Sequence, residues 1–325
     1  MKIKIMKFGG TSLSDPEKIR LAAGRAAAEK KKGFSVVLVL SAPGRMTDEL
    51  FELAQRITPK PTPRELDALL STGESLSAAL AAMALEAAGH SAVSLSGAQA
   101  GILTDSAFSN ASLLKLNPKR IIAELKKGKI AVVAGFQGVN SSLDITTLGR
   151  GGSDLTAVAL ANVLKAKVCE LYSDVKGIYT ANPALVSSAQ KLARVSYDEV
   201  MALAEAGTEV RQLRAVSYAK KHKISLMLRS SFGGGSGTLI GDFTRAGKSP
   251  EVRCFSTRKI GNYSEITLLG SKLNRGEIKT SVRRTALMNG YLLKKETYAP
   301  GRITLITDRS AGTRFLNGLH AAFIR

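Results

Sequence analysis

Residues 2–6 alternate polar and apolar side chains, the pattern of a strand entering a core. Asp15 and Pro16 then open a helix to about residue 31, with Asp15 as its N-cap. Residues 35–40 read Ser-Val-Val-Leu-Val-Leu, an almost unbroken apolar run. Such runs mark parallel strands covered on both faces. An Ala-rich stretch over 69–88 predicts a buried packing helix. Short strands are expected at 93–95, 130–134, 168–171 and 224–229, with helices at 155–165, 197–206 and 216–222. This alternation predicts an α/β fold, a three-layer αβα sandwich around a mainly parallel sheet.

The run Phe232-Gly-Gly-Gly-Ser-Gly237 is a natural boundary. Beyond it the rhythm becomes strand (265–269), helix (276–289), two strands (291–296 and 302–307) and helix (313–324). That order predicts a small α+β, ferredoxin-like domain without its last strand. The expected division is 1–241 and 242–325. A missing last strand would leave an open sheet edge, a template for pairing, and so predicts a homodimer through this domain.

Three glycine corners follow apolar strands: Lys7-Phe-Gly-Gly-Thr-Ser12, Ser41-Ala-Pro-Gly-Arg45 and Gly149-Arg-Gly-Gly-Ser-Asp154. Glycine lets a backbone approach a phosphate without a Cβ in the way. The third corner runs into a helix, whose N-terminal N–H groups and dipole attract anions. Lys7 adds a charge able to stabilise a transferring phosphoryl group. One such corner is ordinarily just a turn; three in one α/β domain, each with Lys or Arg, point to phosphate chemistry. The stretch Gly241–Ser249 nearly fits a P-loop but has one residue too many, follows no strand and is followed by Pro250.

Composition narrows the classes. No apolar run approaches the ~20 residues of a membrane span, and the N-terminus lacks a signal-peptide core. Two cysteines and three scattered histidines give neither a disulfide framework nor a metal cluster. A reduced, soluble, cytoplasmic protein without a metal site is expected. The chain carries 47 basic and 26 acidic residues, net +21, with 16 basic and 6 acidic from Gly241 onward. Such a surface favours polyanions. With no tryptophan, 5% aromatics and no nucleic-acid motif, solvated basic faces are expected rather than RNA or DNA binding.

Four motifs in order resemble the aspartate kinases of the amino acid kinase family: Lys7-Phe-Gly-Gly-Thr-Ser12, Ser71-Thr-Gly-Glu74, Gly149-Arg-Gly-Gly-Ser-Asp154 and Ser173-Asp-Val-Lys-Gly-Ile-Tyr179. The resemblance runs from Met1 to about Gly241. It implies transfer of a phosphoryl group from MgATP to L-aspartate, giving 4-phospho-L-aspartate for lysine, threonine and methionine biosynthesis. It places Lys7 and Asp154 in catalysis, Lys7 neutralising phosphoryl charge and Asp154 orienting it. Gly9 and Gly10 would offer N–H groups to phosphate, with Ser41 close by. Thr47, Glu74, Arg150 and Ser153 would bind the amino acid, Glu74 its ammonium and Arg150 a carboxylate. Ser173, Asp174 and Tyr179 would lie on the nucleotide side. Taken singly, Glu74 is also an ordinary helix acid, Asp154 a cap and Arg150 a surface charge.

The chain departs from the family pattern on the nucleotide side. Asn182-Pro183-Ala184 stands where Asp-Pro-Arg is usual, and Glu209 where many members carry lysine. Lys176 and Lys191 are the nearby cations in sequence that would replace that charge. These losses raise the alternative of a catalytically weak or inactive binding subunit. The C-terminal domain resembles a single ACT unit, with Ser271-Lys-Leu-Asn-Arg-Gly276 replacing the usual effector turn.

Overall fold

The computed structural model describes residues 1–207, 213–243, 252–271, 273 and 276–324. The chain runs β1 (Ile3–Phe8), α1 (Pro16–Lys31), β2 (Ser35–Leu40), α2 (Met46–Ile57), α3 (Pro63–Ala87), β3 (Ala92–Leu95), β4 (Ile102–Thr104) and β5 (Leu113–Leu116). It continues α4 (Lys119–Lys126), β6 (Ile130–Ala134), β7 (Gln137–Val139), β8 (Ile145–Thr147), α5 (Gly152–Val163), β9 (Val168–Ser173), β10 (Arg194–Ser196) and α6 (Tyr197–Glu205). The remainder is α7 (Leu213–His222), β11 (Ser225–Ser230), β12 (Thr238–Gly241), β13 (Val252–Ile260), β14 (Tyr263–Gly270), α8 (Gly276–Met288), β15 (Leu293–Ala299), β16 (Arg302–Asp308) and α9 (Gly312–Phe323).

Two compact units form: Met1–Lys176 with Arg214–Leu239, and Gly177–Leu213 with Ile240–Arg325. Compactness thus groups Gly177–Leu213 with the C-terminal residues.

In the first unit, the strands lie in the order β3-β6-β2-β1-β9-β11. Their pairings are all parallel. Met6, Phe8, Leu38 and Leu40 pack on one face against Ala22 and Ala26 of α1 and Ala81 and Leu85 of α3. Ile5, Val37 and Val39 on the other face are equally buried. α5 covers that side, and Asn162 on it donates to the Tyr218 hydroxyl of α7 at 3.3 Å. Burial of both faces explains the unbroken apolar strands. Asp15 caps α1 as expected, accepting from the Lys18 N–H at 2.9 Å.

α3 is longer than its sequence pattern indicates because Pro63 sits in its first turn, where a missing N–H costs nothing. It is long and apolar enough to span a membrane by length and composition alone, although Ser, Thr, Gly and Glu interrupt its apolar run. In the fold it is a core layer with Asp67 and Glu74 buried along it. A small sheet, β5-β4-β7-β8, flanks the first unit's main sheet in sequence and ends at the third glycine corner.

The second unit holds the antiparallel sheet β13-β14-β16-β15. Ile278 and Val282 of α8 and Phe315 and Leu319 of α9 pack on Ile266, Leu268, Ile303 and Leu305. The expected open edge is not there. The place beside β14 that a last strand would take is filled by β13, paired antiparallel from Val252 to Ile260. β13 is engaged on its outer side too, where Phe255 N–H donates to Thr180 O at 2.7 Å. The edge at β15 carries the exposed Lys294 and Lys295, charges that oppose strand pairing.

Candidate active site

The strand order reverses direction at β1. β2, β6 and β3 lie to one side, β9 and β11 to the other. Ligands of open parallel sheets bind at the carboxyl ends of the strands beside such a reversal. Lys7 sits there, with Val39 and Leu171 as its register neighbours. It lies on the α5 face, and its Nζ is 2.6 Å from Asp154 Oδ1, both side chains buried.

Asp154 is held there by the third corner. Gly149 and Gly151 take left-handed φ values of 71° and 72°, which turn the chain into α5. Gly152 follows in tight quarters: a Cβ on it would lie 2.8 Å from Leu148 Cβ. The first N–H groups of α5 have no partner within the helix and face the corner with its positive dipole end. Ser153 is buried beside Asp154 and touches the space of Gly135, where a Cβ would meet Ser153 Cβ at 2.8 Å and Leu40 O at 3.0 Å.

The first and second corners interlock. Gly44 N–H donates to Gly10 O at 2.9 Å, and a Cβ on Gly10 would lie 2.8 Å from Ala42 O. Ser41 N–H donates to Phe8 O at 3.2 Å. Ser12 meets Ser231 through their hydroxyls at 2.6 Å, tying the first corner to the end of β11. One expectation is corrected. Gly9 does not offer its N–H, which donates to Tyr172 O at 3.2 Å because β1 pairs with β9 to its end. No such backbone bond occupies the Gly10 N–H among the described residues.

Glu74, 3% exposed, completes the cluster. Its Oε1 accepts from the Ala42 N–H at 2.9 Å, while the buried Oε2 has no partner among the described residues. Burial pushes its carboxyl up to about 7, against the opposing pull of the Ala42 N–H and the Lys7 charge. An unpartnered buried carboxylate oxygen is costly unless something cationic meets it. The arrangement is therefore a paired lysine, a glycine cradle and a carboxylate lacking its cation.

Lys7, Gly9, Gly10, Ser41, Glu74, Ser153 and Asp154 thus gather at the strand ends, with Ser173 at the end of the neighbouring β9. Thr47 is half-buried in the first turn of α2. Arg150 is exposed between its two left-handed glycines. Asp174 is exposed just past β9, and Tyr179 belongs to the second unit. Asn182 and Ala184 also lie there; the Asn182 side chain accepts from the Ala184 N–H at 2.9 Å, closing a turn at which residue 184 offers only a methyl group. Glu209 lies outside the described residues, as do Lys272, Asn274 and Arg275 of the replaced effector turn.

Sequence reasoning missed the supports. Asp67 is fully buried and accepts from Ser109 N–H (2.8 Å), Thr147 N–H (2.7 Å) and Thr147 Oγ1 (2.8 Å). Gln137 donates to Ser71 O at 2.8 Å and accepts from Gly97 N–H at 3.2 Å. Arg214, noted in sequence only as part of a loop pair, donates to Leu148 O (2.5 Å), Asn110 Oδ1 (2.8 Å) and Ala111 O (3.0 Å). These contacts fix the approach to Gly149. The available signal was the spacing Asp67, Ser71, Glu74, which places three polar groups on one face of an Ala-rich helix.

Residues 2–230 match the amino acid kinase family. The chain belongs to the amino acid kinase family. Among relatives of this amino acid kinase, aspartokinase of Corynebacterium glutamicum is 45% identical over 287 residues, 88% of this chain and 68% of that one. Aspartokinase 2 of Bacillus subtilis is 50% identical over 240 residues, 74% of this chain and 59% of that one. The chain thus spans roughly two thirds or less of these relatives' lengths. Escherichia coli aspartokinase III, solved with lysine and aspartate, shares the fold with a TM-score of 0.84 at 18% identity, each chain wholly covered. Synechocystis aspartate kinase gives a TM-score of 0.68 at 29% identity, covering 99% of this chain and 69% of that one.

Proposed function

We propose that this amino acid kinase is an aspartate kinase, transferring the γ-phosphoryl group of MgATP to the side-chain carboxylate of L-aspartate to give 4-phospho-L-aspartate. The observation that carries the reading is the buried, unpartnered Glu74 Oε2 beside the Lys7–Asp154 pair. That oxygen suits the ammonium of an amino acid, and the aspartokinase relatives support aspartate as the acceptor.

The acceptor carboxylate is ionised at neutral pH, so the site needs no base to make a nucleophile. A carboxylate oxygen–phosphorus bond forms as the bond from phosphorus to the ADP oxygen breaks. Lys7 stabilises the charge on the transferred group, and Asp154 holds the Lys7 ammonium in place. Gly10 and the N-terminal amides of α5 offer N–H groups to anionic oxygens. Arg150 and Ser153, with Thr47, bind the remaining carboxylate of aspartate. Ser173, Asp174 and Tyr179 serve the nucleotide. Bound Mg2+ would neutralise part of the phosphate charge.

Lys191 is the better candidate for the charge missing at Ala184. It pairs antiparallel with Tyr179, and directly opposed residues project to one face. Lys191→Ala is expected to raise the ATP KM about tenfold, the effect of losing one charge-assisted contact, while Lys176→Ala leaves it unchanged. Steady-state kinetics with ATP varied at saturating aspartate checks this.

The proposed organisation is a catalytic region over 1–241 and an ACT-like region over 242–325, in a soluble cytoplasmic homodimer. With the sheet edges filled or charged, the exposed Leu287, Met288 and Leu292 at the end of α8 support the dimer instead. Light scattering at micromolar protein should give twice the 34.4 kDa chain mass. The activity itself is tested by hydroxylamine trapping with MgATP and aspartate, which should yield aspartyl hydroxamate. No product at millimolar ATP, with aspartate still bound in calorimetry, would make the chain a binding subunit.

A further inference from the structure

His320 on α9 is 1% exposed, far in sequence from every glycine corner. Its Nε2 lies 2.8 Å from Thr180 Oγ1 and its Nδ1 3.2 Å from Ser188 Oγ. These hydroxyls belong to one closed segment. At its neck Thr180 N–H donates to Gln190 O and Leu192 N–H to Ile178 O, each at 2.8 Å, and Tyr179 pairs with Lys191. The Gln190 N–H also donates to Thr180 Oγ1 at 2.9 Å, so one hydroxyl joins both arms of the neck to the imidazole.

The rest of the segment is built into the same core. Ala181 and Val186 cluster with Phe255 and Phe315, and Asn317, one turn before His320, donates to Leu185 O at 2.9 Å. Burial lowers the imidazole's proton affinity, so the ring is neutral near pH 7, with one nitrogen donating and the other accepting. A neutral ring with two opposed roles suits two hydroxyls, each able to donate or accept.

We propose that His320 is a positioning residue for the nucleotide, holding the neck of the 178–192 segment and thereby fixing Tyr179 and Lys191. The proposal rests on the reading of Tyr179 as a nucleotide-side residue. It makes α9 of the ACT-like unit a determinant of ATP affinity. The geometry is specific: an aliphatic side chain fills the space but removes the imidazole partner of both hydroxyls, whereas an amide supplies both a donor and an acceptor. Thr180 keeps its bond from Gln190 in either case, so the fold is retained.

The test compares His320→Leu, His320→Gln and Tyr179→Ala with the full-length wild type. His320→Leu should raise the ATP KM about tenfold, with kcat and the aspartate KM within about twofold. His320→Gln should recover most of that loss. Amide hydrogen exchange over 178–192 should quicken in the leucine variant and return in the glutamine one. A leucine variant with unchanged ATP KM, or with kcat and both KM values falling together, overturns the positioning role if Tyr179→Ala does raise the ATP KM. If Tyr179→Ala also leaves the ATP KM unchanged, the proposal falls with the nucleotide reading it rests on. Quickened exchange would then show that the hydrogen-bonded neck exists but serves no nucleotide.

Discussion

Lys7→Met lowers the rate of aspartyl hydroxamate formation about a thousandfold, with little change in the aspartate KM. The magnitude follows from removing a preorganised charge aimed at a transferring phosphoryl group. Methionine keeps much of the aliphatic volume, so the loss is electrostatic. The change also strands Asp154, whose carboxylate is 2.6 Å from the lysine and buried. Leaving a buried charge without its partner costs about 3–5 kcal/mol. The position of Asp154 in the first turn of α5 offsets part of this through the helix dipole. Lys7→Met/Asp154→Asn should therefore regain stability in urea without regaining activity. Recovery of activity in the double variant would show that Lys7 serves only to neutralise Asp154.

Glu74→Gln raises the aspartate KM about a hundredfold and changes how KM depends on pH. The wild-type carboxyl is pushed up to about 7 by burial, so near neutrality it is only part ionised in the free enzyme. The protonated form cannot pair with an ammonium. The aspartate KM should therefore fall as pH rises from 6 toward 8, and this dependence should vanish in the glutamine variant. Truncating one partner of a buried charge-assisted contact costs about 2–5 kcal/mol, which sets the hundredfold scale.

Stability moves the other way. A carboxyl raised on folding gives its full stability below the unfolded value near 4.5, lost as pH climbs through about 7. Keeping the buried group ionised at pH 8 costs on the order of 3 kcal/mol by the usual conversion from pKa. Glu74→Gln should raise Tm at pH 8 and change it little at pH 4. A site that sacrifices stability for an unpaired carboxylate is what binding an ammonium there requires. An aspartate KM insensitive to pH in the wild type would contradict this assignment.

The strand ends were legible because each apolar run stops at glycines, and period and punctuation coincide there. Lys7 stood out for the same reason, whereas Glu74, inside α3, and the role of Asp154 were legible only through the motif resemblance. The supports did not, because Asp67 reaches Thr147 across 80 residues and nothing local marks that pairing. α2 and the short strands β4, β5, β7 and β8 escaped notice since they are half-exposed or only a few residues long. The C-terminal sheet misled in a different way. The run from 265 to 324 was read in the right order, but the strand that closes the edge, β13, precedes that run in sequence instead of following it. Strand content is local information; which neighbour a strand takes is not. His320 meets Thr180 from 140 positions away, and a lone histidine in an apolar helix gives no hint of that.

The central claim is that this chain moves a phosphoryl group from ATP to the side-chain carboxylate of aspartate. Phosphorus NMR of the purified protein with MgATP and L-aspartate addresses it directly. The account predicts ADP together with an acyl-phosphate resonance that requires aspartate and is lost in Lys7→Met. ADP and inorganic phosphate formed equally with and without aspartate, and no acyl phosphate, would contradict it.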